Sequence, residues 1–158
     1  GHGDAIRFPA TRLTNPDRNA PQRDGRFDFS FSGLKTAVLR HVRQRQSALA
    51  SERLPAAEVA DLAASFQHRV VDTLLDQAFS AARAYGAESI GIAGGVSANS
   101  RLRSEAMGRA GPAGIPVFIP RLSLSTDNAA MIAAAGLRQL AAGRLAPADL
   151  NAAASLPL

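Results

Sequence analysis

The sequence predicts an α/β fold in which short strands pack with long helices. Three observations carry that expectation. Apolar residues recur every three or four positions from Val59 to Tyr85, the mark of a long amphipathic helix. That stretch leads into a short apolar run, Ser89–Ala93, which stops at the pair Gly94-Gly95. A second β-type run, Ile115–Pro120, is bounded by prolines, and the residues between the two runs read as a helix.

Taken in order, residues 1–26 are polar, rich in arginine and interrupted by Pro9, Pro16 and Pro21. They are expected to form a loop segment, with a short extended piece near Ile6-Arg7-Phe8. Phe27 to Gly33 alternates strictly between aromatic and polar residues, which predicts a half-buried strand closed by Gly33. From Leu34 to about Ala50 the pattern becomes helical, with Leu34, Ala37 and Val38, and His41 or Val42, on one side.

Pro55 opens the long helix, whose predicted stripe is Val59, Leu62, Phe66, Val70, Leu74, Ala78, Ala82 and Tyr85, with Gly86 as its stop. After the glycine pair, Leu102, Ala106 and Met107 mark a helix ending near Gly108 or Gly111. Ser125-Thr126-Asp127-Asn128 is a dense helix-start signal, and Met131, Ile132, Ala135 and Leu140 continue that helix to Gly143. The division expected is a loop segment over 1–26, an α/β body over 27–143 and a flexible tail over 144–158.

Composition narrows the class. The 158 residues are 46% hydrophobic, enough for a real core, and no apolar run approaches the ~20 residues of a membrane span. The absence of cysteine removes disulfides and thiolate metal sites. Gly1-His2-Gly3-Asp4 has neither the basic nor the apolar region of a signal peptide, so a cytoplasmic location with no membrane partner is expected. Charge is uneven. Residues 1–53 hold ten basic and five acidic residues and so carry the whole net charge of +5. Such asymmetry suits a polyanion such as RNA, or an arginine-rich solvated surface.

Few residues invite chemistry. Strand, Gly94-Gly95 and helix start together can cradle an anion, because glycine lets backbone N–H groups approach closely and a helix start presents unpaired donors. The same pair also serves as a tight turn with no ligand. Asn99, in the first turn beyond it, can cap the helix or reach a ligand hydroxyl or phosphate. Asp127 at a helix start complements the helix dipole or ligates a divalent ion, and one carboxylate alone makes no metal site.

His41 and His68 lack a histidine three or four residues away, so neither forms a helical metal pair, and no G-x-S-x-G elbow is present. The Phe27–Lys35 stretch reads as an aromatic face for the core. Its Lys35, with Arg40 and Arg43 on the next helix, could face an RNA backbone.

Three stretches together resemble the C-terminal half of the TsaD/Gcp family. They are Phe27-Asp28-Phe29-Ser30-Phe31-Ser32-Gly33-Leu34-Lys35-Thr36, Ala93-Gly94-Gly95-Val96-Ser97-Ala98-Asn99, and Ser125-Thr126-Asp127-Asn128-Ala129-Ala130-Met131-Ile132-Ala133. Order and spacing agree, and the resemblance runs from about Gly3 to Gly143.

The resemblance implies the C-terminal half of an actin/Hsp70/sugar-kinase-like (ASKHA) α/β fold. It implies transfer of threonylcarbamoyl from threonylcarbamoyl-AMP to N6 of the tRNA adenosine 3′ of the anticodon. These enzymes were formerly called O-sialoglycoprotein endopeptidases. Carried over by motif, Gly94 and Gly95 would shape a phosphate turn for an adenine nucleotide (threonylcarbamoyl-AMP or ATP), Asn99 would contact it, and Asp127 would ligate one divalent metal of Fe or Zn type. Implied partners are tRNA, touched by Lys35, Arg40 and Arg43, and TsaB/TsaE-like subunits.

The sequence also departs from the family. The His-x-x-x-His pair that completes the family's metal site is absent, as is its acidic-glycine phosphate loop. Ser125 and Ala129 stand where other members often carry Cys and Gly, and the Thr11–Arg26 loop is longer and richer in arginine. The chain is therefore expected to be a C-terminal segment, inactive alone. The competing expectations are a non-catalytic paralogous subunit and another ASKHA kinase or carbamoyltransferase.

Overall fold

The computed structural model describes residues 1–9, 27–125 and 128–147. Among these, four helices and one small parallel sheet form: α1 (Ser32–Leu49), α2 (Ala56–Ala84), β1 (Ile90–Gly91), α3 (Ser100–Ala113), β2 (Val117–Phe118) and α4 (Ala129–Ala141). Helix therefore dominates, and the strands are two residues each.

The long helix follows its sequence. It runs 29 residues, about 44 Å at 1.5 Å per residue. Glu58 in its first turn and Arg83 in its last both complement the dipole. The strands pair in parallel with Ile90 opposite Val117, and the Ile90 and Ile92 amides donate to Pro116 and Phe118 carbonyls at 2.9 Å. With α3 between them they make a β–α–β unit.

The core lies between α2, α3 and that sheet. Val71, Leu75, Phe79 and Ala82 of α2 meet Leu102 and Ala106 of α3, with Ile115 and Val117 closing the far side. The stripe on α2 is thus rotated by one residue from the expected one. Phe79 is 3% exposed, whereas Phe66, on the expected stripe, is 39% exposed. Val70-Val71, Leu74-Leu75 and Ala78-Phe79 are apolar pairs, so periodicity alone fits either register of the face, and contact with α3 selects the second.

A polar seam runs beside the apolar one. Arg109 of α3 reaches Asp72 at 2.8 Å and Asp76 at 2.6 Å on α2. His68 Nε2 stands 3.1 Å from Asp72 and 3.4 Å from Asp4, while its Nδ1 meets the Arg101 guanidinium.

The expected strand at Phe27–Gly33 does not form. Residues 28–31 are irregular, and α1 already begins at Ser32, with the Lys35 amide donating to the Phe31 carbonyl at 3.0 Å. A strand exists only if a neighbour takes its backbone hydrogen bonds, and the two-stranded sheet is made by other residues. The aromatic alternation serves packing instead. Phe29 stacks on Phe31 with centroids 6.1 Å apart, and Phe27 tilts against Tyr85 at 5.6 Å.

Nor do residues 6–8 form a strand. They lie against α2, where the Ile6 amide donates to Ser65 Oγ at 3.1 Å and Phe8 is buried edge-on to His41.

Helix α3 also outlasts its expected stop, passing Gly108, Gly111 and even Pro112. Gly114 is the residue that turns to φ +66°, with its own amide donating to the Gly111 carbonyl and that of Ile115 to Ala110. A glycine inside a helix costs only about 1 kcal/mol against alanine, so the end falls where the left-handed closure can form. The expected stops at Gly86 and Gly143 do end α2 and α4.

The core register makes a contrast. Phe79→Ala is expected to lower unfolding free energy by about 3–5 kcal/mol, and Phe66→Ala by less than about 1 kcal/mol, in denaturant titrations of this chain. Equal losses would restore the expected stripe.

Arg45 of α1 and Glu58 of α2 form a two-toothed pair at 2.9 and 2.7 Å. The hydrogen bond from Arg45 holds the Glu58 carboxyl below the usual glutamate range. A depressed carboxyl stabilises the fold above its unfolded pKa and loses that contribution as pH falls through its folded value. The thermal midpoint should therefore be higher for wild type than for Glu58→Gln at pH 7, with the gap closing below about pH 4. A gap that persists there would assign the effect to packing.

Candidate functional site

β1 and β2 are parallel, so the chain leaves both at the same end of the sheet. In α/β sheets that carboxyl end is where ligands bind. After β1 the chain reaches Gly94, at φ +84° and ψ 176°, a conformation that only glycine adopts readily. A 3₁₀ turn over Gly95–Ala98 follows. Its first hydrogen bond runs from the Ser97 amide to the Gly94 carbonyl at 3.0 Å, so the amides of Gly95 and Val96 lie ahead of the ladder. Open space surrounds the positions a Cβ would take at Gly94 and Gly95. The backbone of the turn is left accessible there.

Asn99 performs the capping role. Its Oδ1 accepts from the Leu102 amide at 3.0 Å and from Gln67 Nε2 at 3.1 Å. Two donors on one oxygen fix the amide plane, and Nδ2 has no partner among the described residues. The side chain is half-buried and offers an oriented donor beside the turn. Gln67, unremarkable in sequence, supplies the second donor from mid-α2. Only the tertiary fold could reveal it.

Ser97 was also missed. It is fully buried at the base of the turn, and its hydroxyl has no partner among the described residues. Leaving such a group unpaired costs roughly 1–3 kcal/mol.

The loop after β2 carries the other half of the region. Leu122–Leu124 form a second 3₁₀ turn, and Ser125 is buried. Asn128 caps α4, its Oδ1 accepting from the Ala130 and Met131 amides at 3.1 and 3.3 Å. Asp127 lies outside the described residues. Among the described residues no three His, Cys, Asp or Glu side chains are arranged to hold a metal ion, and no helix is long and apolar enough to cross a membrane.

Lys35, Arg40 and Arg43 are exposed on α1. At about 100° per residue they span an arc of about 140°, on the side of α1 away from buried Leu34. α1 contains no acidic residue, and among the described residues no carboxylate lies within ion-pair distance of these three.

The profile of the family described as TsaD, tRNA N6-adenosine threonylcarbamoyltransferase, matches residues 2–134. Proteins of that name are similar to the chain throughout. The one from Koribacter versatilis is 42% identical over 181 residues, covering 99% of this chain and 48% of its own length. That from Anaeromyxobacter dehalogenans is 48% identical, covering 94% of this chain and 40% of its own length. For Salinibacter ruber the figures are 46%, 96% and 42%. The chain therefore spans less than half the length of these curated relatives. With the family profile covering most of the chain, and the glycine turn and Asn99 placed together at the sheet's carboxyl end, the chain belongs to the TsaD family of tRNA N6-adenosine threonylcarbamoyltransferases.

Proposed function

We propose that the chain is the C-terminal half of a cytoplasmic, two-lobed ASKHA enzyme that transfers threonylcarbamoyl from threonylcarbamoyl-AMP to N6 of the tRNA adenosine 3′ of the anticodon. The observation that carries this reading is the Asn99 amide, locked by two donors so that Nδ2 points away from its cap beside an open glycine turn. Such a donor suits a ribose or phosphate oxygen of an adenylate.

In the reaction, the adenosine amine forms a bond to the carbamoyl carbon. The bond from that carbon to the phosphate oxygen breaks, AMP leaves with the electron pair, and the amine gives up a proton. Negative charge grows on the phosphate as its bond breaks. Amides at Gly95 and Val96, with Asn99 Nδ2, are preorganised donors for that charge. Asp127 would supply one carboxylate to a divalent metal of Fe or Zn type, which polarises the carbamoyl oxygen when bound, its other ligands lying outside these 158 residues.

The exposed apolar character of α4 supports the two-lobed reading. Its thirteen residues include none that is buried, and Ile132 is 76% exposed. A helix apolar on most sides needs cover. The relatives have more than half their length outside the matched region. TsaB/TsaE-like subunits would join the complete enzyme.

Two substitutions in the full-length protein, and the isolated chain, test the site. Asn99→Asp keeps the capping oxygen but removes the donor and adds a charge, so stability should hold while affinity for the adenylate falls at least about tenfold. Asp127→Ala should lose both bound metal, by elemental analysis, and tRNA modification. The 158 residues alone should transfer nothing. Transfer by the isolated chain, or phosphotransfer to a small molecule in place of tRNA modification, would overturn the reading.

For the polyanion, Arg40→Glu with Arg43→Glu should weaken tRNA binding and reduce the slope of log affinity against log salt by about 2. An unchanged salt series would remove α1 from the RNA contact.

A further inference from the structure

The two loops at the carboxyl end of the sheet are joined by one side chain. Arg103 lies in the first turn of α3, and its amide donates to the Asn99 carbonyl at 3.1 Å, directly under the glycine turn. Its guanidinium crosses to the other loop. Nη2 donates to the Pro120 carbonyl at 2.6 Å and to Ser125 Oγ at 3.0 Å. Ser125 Oγ in turn donates to the Arg121 carbonyl at 3.1 Å, and the residue is 1% exposed. The Arg103 side chain therefore touches both ends of the Pro120–Ser125 loop, three residues before the Asn128 cap of α4.

The choice of partners is informative. Among the described residues Arg103 has no carboxylate within ion-pair distance, and its Nε is buried without a partner. A guanidinium held this way, half-buried on neutral acceptors, gains little from charge pairing. What it contributes is geometry, because the two hydrogens of the planar Nη2 group reach two acceptors in fixed directions. Neither loop is tied to the other by sheet hydrogen bonds, since the pairing ends at the Ile92 amide and the Phe118 carbonyl.

We propose that Arg103 is a positioning residue that sets the Pro120–Ser125 loop against the Gly94–Asn99 turn, and so fixes the spacing between the two walls of the ligand site. The geometric part stands on these contacts alone, and the consequence for turnover rests on the transferase reading above.

The test uses the full-length enzyme with threonylcarbamoyl-AMP and tRNA. In Arg103→Ala, hydrogen exchange should quicken at the Leu124 and Ser125 amides, which close the 3₁₀ turn, and stay unchanged at Ile90 and Ala106. kcat should fall about tenfold or more with KM for the adenylate within about twofold, because the turn itself remains. Ser125→Ala, which removes one acceptor of Arg103 together with the Oγ bond to the Arg121 carbonyl, should give a smaller fall of the same kind. The double variant should be slower than Arg103→Ala by less than the Ser125→Ala loss alone, since the two residues share one contact.

Losses that multiply in the double variant, or an unchanged exchange rate at Leu124 and Ser125, would overturn the proposal. Should Arg103→Ala fail to fold, Ser125→Ala decides by the same exchange and kinetic readouts. An inactive wild type would sink the transferase reading and leave the exchange result to judge the clamp.

Discussion

Everything placed at the carboxyl end of the sheet depends on the packing of α2 against α3. Two strands of two residues each cannot stand alone in water, because their few hydrogen bonds do not offset the backbone entropy of ordering them. They persist because Ile90, Ile92, Val117 and Ile119 rest on a cluster built from Val71, Leu75, Phe79, Leu102 and Ala106. Arg109, reaching Asp72 and Asp76, adds a polar lock along the same seam. Asp76 is mostly exposed, so its share is small. The burial does the holding.

From that packing follows the geometry of the site. Once α3 is pinned, its N-terminus fixes Asn99, and Gln67 on α2 fixes the Asn99 amide from the other side. The glycine turn is thereby suspended between a strand end and a capped helix. Its openness is a consequence of Gly94 and Gly95 having no side chains where the chain turns back. A β-carbon at Gly94 would meet no atom, yet φ +84° would strain it, so backbone conformation rather than space demands glycine there.

Much of this was legible from residues alone, and the limits have physical causes. Helix starts and stops written in local chemistry, such as Pro55, Asn128, Gly86 and Gly143, came out where the sequence puts them. Gly94, Gly95 and Asn99 stand together as their spacing suggests. Readings that needed a partner fared worse. The Phe27–Phe31 alternation looks like a strand, but alternation only names a face, and the two-stranded sheet is made by other residues. The α2 stripe was one residue out because adjacent positions are both apolar. The contacts of Gln67 and Arg103, and that of Ser125 with Arg103, were invisible because each reaches residues far along the chain, with Arg103 and Ser125 separated by 22 positions. Asp127 lies outside the described residues.

The unspent apolar surface completes the physical picture. Val59 and Phe66, on the stripe that periodicity favoured, are half-exposed on α2, and Leu122, Leu124, Met131, Ile132, Leu137 and Leu140 are more than half exposed. Periodicity reports which residues evolved to be covered, and here it marks more cover than α1 to α4 give one another. Single exposed apolar residues are ordinary, but a helix with every large side chain outside is not. The positive face of α1 is the opposite case, since Lys35, Arg40 and Arg43 have no acidic neighbour on their helix and lie opposite Leu34. One surface is apolar and the other positively charged. That division matches the two-lobed, tRNA-directed enzyme proposed above, in which the glycine turn and Asn99 form one wall of the cleft.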